Sequence, residues 1–236
     1  MASGRLGLTG WPAVAEEAII SRDCLLAAHV GSALHICHVS TAGSVEIIRW
    51  AKSKGWQVTA EVTPHHLLLT DDLVASYDPV YKVNPPLRTA ADVAALRQAL
   101  ADGTIDCVAT DHAPHPVEDK ETEWAVAAHG MTGLETALRV VQEAMVETGL
   151  LDWAGVADRM SARPAAIGRL PGHGQPLAVG SPANLVLYDP EPREAVDPAT
   201  HASRSRNSPF AGLVLPGRVT ATFLRGRPTV LDGKPA

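Results

Sequence analysis

Three short β-like runs, each leading to a histidine or an aspartate, constrain what this chain can fold into more than any other feature. They are Leu34-His35-Ile36-Cys37-His38-Val39, Val58-Thr59-Ala60-Glu61-Val62 and Ile105-Asp106-Cys107-Val108-Ala109-Thr110. Helical patterns separate them. Pro12 can open a helix at its first position, in which Val14, Ala18 and Leu25 follow helical spacing. Thr41 or Ser40 can cap a second, whose Val45, Ile48 and Ala51 face one way and which Gly55 ends. Thr89 with Asp92 three residues on predicts a capped helix carrying Val93, Leu96 and Leu100. Leu134, Leu138, Val141 and Met145 mark another, and Tyr81-Lys82-Val83 can add a short strand piece. Strands alternating with helices in this way predict an α/β fold of βα units around a parallel sheet.

The pattern changes near Pro171. Beyond it the chain is rich in Gly and Pro, with strand-like runs at Asn184–Tyr188 and Val219–Leu224. Residues 172–236 therefore read as a small β-rich appendage and not as a second independent domain. Gly172-His173-Gly174 and Gly180-Ser181-Pro182 read as turns, because no strand and helix frame them as a phosphate loop would require.

At 236 residues, 46% apolar and 19% charged, the chain suits one globular domain or part of a larger one. Aromatic residues are 4% of the total, so Ala, Val, Leu and Ile must build the core. The net charge of −6 and the lack of any basic cluster argue against nucleic acid or an anionic membrane as partner. No run approaches the roughly 18 apolar residues of a membrane span, and Met1–Leu6 lack a signal-peptide pattern. Cys24, Cys37 and Cys107 are an odd count at no metal-ligand spacing, which predicts reduced thiols, core packing and a cytoplasmic setting.

The ionisable residues at the strand ends carry the functional information. His38 ends the first run, His65 and His66 follow the second in Glu61-Val62-Thr63-Pro64-His65-His66, and Asp111 follows the third. In a βα barrel all C-terminal strand ends meet on one face, where the chemistry sits. Imidazole and carboxylate delivered to one rim make a metal site reasonable, since zinc accepts both. Each residue also has an ordinary reading. A lone strand-end histidine is commonly a packing or hydrogen-bonding residue, and Asp111 before His-Ala-Pro can open a turn. His112 fits strand-end packing and takes no role here; His29, His173 and His201 lie in surface-like contexts.

Four segments in order then carry a resemblance: His38-Val39-Ser40-Thr41, Thr59-Ala60-Glu61-Val62-Thr63-Pro64-His65-His66-Leu67, Asn84-Pro85-Pro86-Leu87-Arg88 and Asp111-His112-Ala113-Pro114-His115. With Gly180–Leu185, Asn207-Ser208-Pro209-Phe210 and Gly217-Arg218-Val219, they resemble the C-terminal portion of the bacterial class I dihydroorotases of the amidohydrolase superfamily.

The resemblance implies residues 1–171 as part of a (β/α)8 barrel, roughly strands six to eight, of a metal-dependent hydrolase. It implies zinc, one or two ions in the complete enzyme, and reversible hydrolysis of dihydroorotate to N-carbamoyl-aspartate in pyrimidine synthesis. His38 would be a metal ligand at the end of the sixth strand. Asp111 would touch the metal and take the proton of the attacking water. Asn84 and His115 would hold the ring and its carboxylate, with the backbone at His129 and Gly130 as a further contact. His129 stands where the family usually has Phe. His65 and His66 match motif residues read as structural or supporting.

The family's His-x-His of the first strand, the Asp or carboxylated Lys of the fourth and the His of the fifth have no counterpart here. The expectation is therefore an N-terminally truncated chain that by itself binds metal weakly and is inactive. The alternatives are a non-catalytic partner of aspartate transcarbamoylase and another cyclic-amide hydrolase, an allantoinase or dihydropyrimidinase. Besides the small-molecule substrate, the partners to expect are a second copy in a homo-oligomer or the transcarbamoylase.

Overall fold

Threonines open three of the helices in this chain. Thr41, Thr63 and Thr89 each accept a backbone N–H of the following helix on the side-chain oxygen, at Ser44, His66 and Asp92 respectively. At Thr89 the Asp92 side chain reaches back to the Thr89 N–H and completes a capping box, as the sequence predicts.

The computed structural model describes residues 2–236. In order the elements are α1 (Ala2–Leu6), α2 (Ala13–Val30), β1 (Leu34–Ile36), α3 (Ala42–Ser53), β2 (Val58–Val62), α4 (Pro64–Leu68), α5 (Ala90–Asp102), β3 (Cys107–Val108) and α6 (Val117–Lys120). Next come α7 (Ala137–Val141) and α8 (Trp153–Ala157), each continued by a π-helical turn, then α9 (Arg163–Ile167). β4 (Leu185–Ala195), β5 (Val214–Leu224), β6 (Arg227–Leu231) and β7 (Lys234–Pro235) complete the chain.

β1, β2 and β3 form a parallel sheet in that order, with His35 opposite Thr59 and Glu61 opposite Cys107. Parallel pairing needs long crossovers, which the intervening helices supply. One face of the sheet buries Ile36, Ala60, Val62 and Val108 in a core with Val45, Ile48 and Ala51 of α3, Leu96 and Leu100 of α5, and Met145. Full burial of each large aliphatic side chain contributes about 1.5–3 kcal/mol. Strand alternation sends His35, Cys37, Thr59 and Glu61 to the other face.

The C-terminal strands form an antiparallel sheet in the order β4-β5-β6-β7. Its inner end is tied to the α/β part by a second core, in which Phe210, Leu215 and Val196 meet Val140, Leu87, Val83 and Met131. The Arg139 guanidinium donates to the Glu194, Leu215 and Pro216 carbonyls, and the Tyr188 hydroxyl donates to Gln142 Oε1 at 2.6 Å.

Several local expectations change. Helix α2 is present, but Ile20 and Cys24 form its buried stripe while Val14 and Leu25 are 62% and 50% exposed. Leu25 lies five positions beyond Ile20, about 140° around the helix at 3.6 residues per turn. Tyr81-Lys82-Val83 joins no sheet; Pro79 opens a 3₁₀ turn there, and Pro85 and Pro86 remove ladder donors just beyond. The third strand is shorter than its apolar run, although Asp106 N and Ala109 N still donate to the Ala60 and Val62 carbonyls of β2. Leu134 is exposed ahead of α7. Cys24 and Cys107 are buried, but Cys37 is exposed because it follows Ile36 onto the polar face. Both C-terminal strands are longer than their apolar runs indicated.

Candidate active site

The two residues expected to hold metal meet at the strand ends. His38, just past β1, and Asp111, just past β3, have φ of 55° and 48°. Non-glycine residues rarely occupy this left-handed region, and Tyr77, Arg169, Arg225 and Asp232 also do so, away from the strand ends of the parallel sheet. His38 Nε2 lies 3.6 Å from Asp111 Oδ1. Two ligands at zinc distances of about 2.0–2.2 Å, spanning a tetrahedral angle, stand roughly 3.3–3.6 Å apart, so this pair fits one ion.

The other nitrogen of His38, Nδ1, is 2.8 Å from Glu61 Oε1, in close charge contact but off the axis of a good hydrogen bond. The Glu61 carboxylate, with Asp111 beyond it, raises the His38 pKa against the opposing effect of burial. Burial raises the Asp111 pKa; the charge of His38 opposes this and that of Glu61 adds to it. Burial also disfavours the charge on Glu61, but His38 and His35 outweigh it and its pKa is lowered.

His65 and His66 are both buried, their rings 4.6 Å apart. His66 accepts from the Thr63 hydroxyl at Nδ1 (2.8 Å) and donates from Nε2 to the Pro86 carbonyl (3.2 Å), which joins two of the motif segments. Burial lowers its pKa to about 4 and lowers that of His65 well below the usual range, so both rings are neutral.

His35, Glu61 and Cys107 bring three donor atoms within 4.8 Å of one another. The His35 ring is already bonded to Thr59 Oγ1 at 2.8 Å and to Glu61 Oε2 at 3.0 Å. Burial pushes the Cys107 thiol up to about 12. A protonated thiol is a poor ligand, and the cluster reads as a hydrogen-bonded group on the sheet's inner face.

The residues expected to contact substrate form a second group. His115 Nε2 donates to the His129 carbonyl at 2.9 Å. Asn207 accepts from His115 N on Oδ1 and donates from Nδ2 to the Ala113 and Gly130 carbonyls. Gly130 has φ of 129°, and a Cβ there would lie 2.5 Å from the Ala113 Cβ and 3.0 Å from His115 Nε2. His129 takes part through its carbonyl while its side chain is exposed. Asn84 is exposed; its loop is tied to the group two residues upstream, where Lys82 O accepts from Gly130 N. His112 accepts from Gly133 N and Leu134 N on Nδ1.

Other participants lay outside the expectations. Lys82 Nζ donates to the carbonyls of Trp124, Ala125 and Ala127, and Lys120 Nζ to those of Lys82, Ala128 and Gly130. These two buried cations organise the loop that presents Gly130. Arg88 of the Asn-Pro-Pro-Leu-Arg motif is buried too, donating to Ser40 Oγ and the Trp11 carbonyl beside the Glu16 carboxylate. Glu16 in turn accepts from Ser40 N and from the hydroxyls of Ser40 and Ser44, so α2 latches the loop after His38.

His38 and Asp111 stand past the C-terminal ends of parallel strands in successive βα units, the end of such folds where active sites lie. The chain belongs to the amidohydrolase family, whose match runs over residues 14–229. It is 73% identical to the dihydroorotase of Streptomyces coelicolor over 232 residues, covering 98% of this chain and 54% of that protein. It is 59% identical to the dihydroorotase of Mycobacterium tuberculosis at the same coverage. Among solved structures, the L-hydantoinase (dihydropyrimidinase) from Arthrobacter aurescens superposes with a TM-score of 0.89 at 35% identity, over 95% of this chain and 51% of that one. The chain thus spans about half the length of the relatives it matches. No helix among the described residues is long and apolar enough to cross a membrane.

Proposed function

We propose that this chain carries strands six to eight, and the C-terminal β segment, of a cytoplasmic zinc-dependent dihydroorotase. The observation that carries the reading is the 3.6 Å approach of His38 Nε2 to Asp111 Oδ1 from two strand ends in left-handed backbone conformation. In this reading residues 1–171 are barrel and residues 172–236 the β appendage. His38 and Asp111 are two protein ligands where a catalytic zinc takes three, so further ligands come from elsewhere in the complete barrel.

Zinc bound there supplies water activated at neutral pH and polarises the scissile ring carbonyl. Asp111, whose burial favours protonation, accepts the proton of the attacking water. It then delivers that proton to the ring nitrogen as the amide C–N bond breaks. Ring closure runs through the same group in reverse. His115, Asn84 and the Gly130 backbone orient the anionic ring, which keeps the reacting carbonyl in line with the water.

A chimera tests this: residues 1–236 replace the matching half of the Streptomyces coelicolor relative, to which they are 73% identical. The expected product hydrolyses dihydroorotate with bound zinc, and His38→Ala or Asp111→Ala removes turnover while the protein stays folded. A folded, zinc-loaded chimera that acts on allantoin or hydantoins and not on dihydroorotate would overturn the substrate. One that is inert and co-purifies with aspartate transcarbamoylase would replace catalysis by a binding role. The oligomeric state of the same sample tests a homo-oligomer.

A further inference from the structure

We propose that Glu61 and His35 are positioning residues for His38, fixing its imidazole with Nδ1 toward Glu61 and the lone pair of Nε2 toward Asp111. The inference deepens the reading above and rests on His38 as a ligand.

Four side chains form a line across the inner face of the sheet. Thr59 Oγ1 is 2.8 Å from His35 Nδ1, His35 Nε2 is 3.0 Å from Glu61 Oε2, and Glu61 Oε1 is 2.8 Å from His38 Nδ1. The strand register produces this line. Thr59 and Glu61 are two apart on β2 and so share a face, while His35 sits opposite Thr59 on β1 and reaches diagonally to Glu61.

The inventory of donors sets the proton positions. An ionised carboxylate only accepts, and a neutral imidazole has one N–H. Glu61 therefore takes the His35 N–H on Oε2 and turns Oε1 toward His38 Nδ1 at 2.8 Å, close but off the hydrogen-bond axis. His35 must donate from Nε2, which leaves its Nδ1 to accept the Thr59 hydroxyl at 2.8 Å, a shorter contact than the 3.4 Å from that hydroxyl to the Leu34 carbonyl. A bare lone pair on His38 Nδ1 would be repelled by a carboxylate oxygen at 2.8 Å, so the contact favours the proton on Nδ1, which leaves Nε2 unprotonated and facing Asp111 at 3.6 Å. With both oxygens committed to imidazoles, Glu61 acts through His38. Carboxylate partners of metal-binding histidines fix tautomer and ring orientation in this way, and losing one weakens metal affinity about 10–100-fold.

The test is nitrogen NMR of the His38 ring in the whole 236-residue chain at pH about 9, above the imidazole range, followed by zinc titration on the same signal in the Streptomyces coelicolor chimera, which completes the ligand set. The unsubstituted chain is expected to show His38 as a single Nδ1–H tautomer, with zinc shifting Nε2 in the chimera. In Glu61→Gln the side-chain amide can turn either an acceptor or a donor toward the ring. The expected result is a mixture of tautomers and a zinc dissociation constant raised about tenfold or more, with the backbone signals of Ala60 and Val62 unchanged. His35→Phe should act in the same direction and less strongly.

An Nε2–H tautomer in the unsubstituted chain overturns the proposal, as does a Glu61→Gln chain with unaltered tautomer and zinc affinity. If Glu61→Gln fails to fold, the unsubstituted tautomer decides the role of Glu61, and an unaltered His35→Phe chain removes His35 from it. Zinc that leaves Nε2 unmoved in the unsubstituted chimera, where the remaining ligands are present, overturns the ligand reading instead, while the tautomer still decides for or against Glu61.

Discussion

His38 stands between two carboxylates, with Asp111 Oδ1 3.6 Å from its Nε2 and Glu61 Oε1 2.8 Å from its Nδ1. Both favour the imidazolium, and Glu61 is the stronger influence. Replacing either by its amide should lower the His38 pKa, further for Glu61→Gln than for Asp111→Asn. Proton NMR titration of the His38 ring checks the order; a pKa that rises in either variant contradicts the geometry.

The buried histidines should make the fold sensitive to acid. His66 titrates near 4 in the folded chain and near the ordinary 6.5 when unfolded. Between those values the unfolded chain binds more protons, so stability falls as the pH drops through that window. The loss from this group is about 1.4 kcal/mol at pH 5.5 and approaches roughly 3 kcal/mol below pH 4. His38, with a raised pKa, works in the opposite direction, so the comparison must isolate His66. Urea unfolding of the parent chain and His66→Gln at pH 7 and 5.5 does so. The parent should lose about 1.2 kcal/mol more than the variant between the two pH values. An equal loss in both would mean that His66 is already charged in the folded state.

Local chemistry made much of the architecture legible. Thr41, Thr89 and Asp92 declare their helices because a cap needs only neighbours within three residues, and the strand–helix alternation follows from short apolar runs. Longer-range features were not readable. The inner face of α2 depends on where β1 and α3 lie, and the apolar Val14 and Leu25 gave the wrong stripe. Glu61 lies inside a quoted motif, yet its function comes from cross-strand register, which places His35 and His38 on its two oxygens. The alternation of Thr59 and Glu61 with Ala60 and Val62 was the available signal, since it marks a polar inner face. Lys82 and Lys120 gave no signal, because a lysine reads as surface until its carbonyl partners are known.

Gly130 should tolerate no side chain. Its φ of 129° disfavours any L-residue, and an added Cβ would meet the Ala113 Cβ at 2.5 Å and crowd His115 Nε2 at 3.0 Å. Gly130→Ala should cost about 1–3 kcal/mol of stability and displace the His115–His129 bond. Urea unfolding gives the first quantity and the His115 ring shift the second. A neutral substitution would mean that the loop has an alternative packing.

Lys120 is the last support of that loop, and its removal should be felt well beyond its own position. It is buried, and its ammonium donates to three carbonyls, one in the Lys82 segment and two at Ala128 and Gly130. Lys120→Met keeps much of the stem's packing but leaves those acceptors without their charged donor. Hydrogen bonds to a charged group are worth about 1.5–3 kcal/mol each, and part of that is recovered when water reaches the freed carbonyls. A net cost of about 2–4 kcal/mol follows, mostly as local opening of residues 121–130 because few apolar contacts hold that segment. Lys120→Arg should not restore it, since a planar guanidinium cannot direct its donors to carbonyls spread around one compact centre. Limited proteolysis reads the effect directly: cleavage within 121–129 should accelerate in both variants, while sites in α3 and α5 stay protected. Acceleration spread evenly over the chain would instead make Lys120 part of the global core, and no acceleration would mean that Lys82 alone holds the loop.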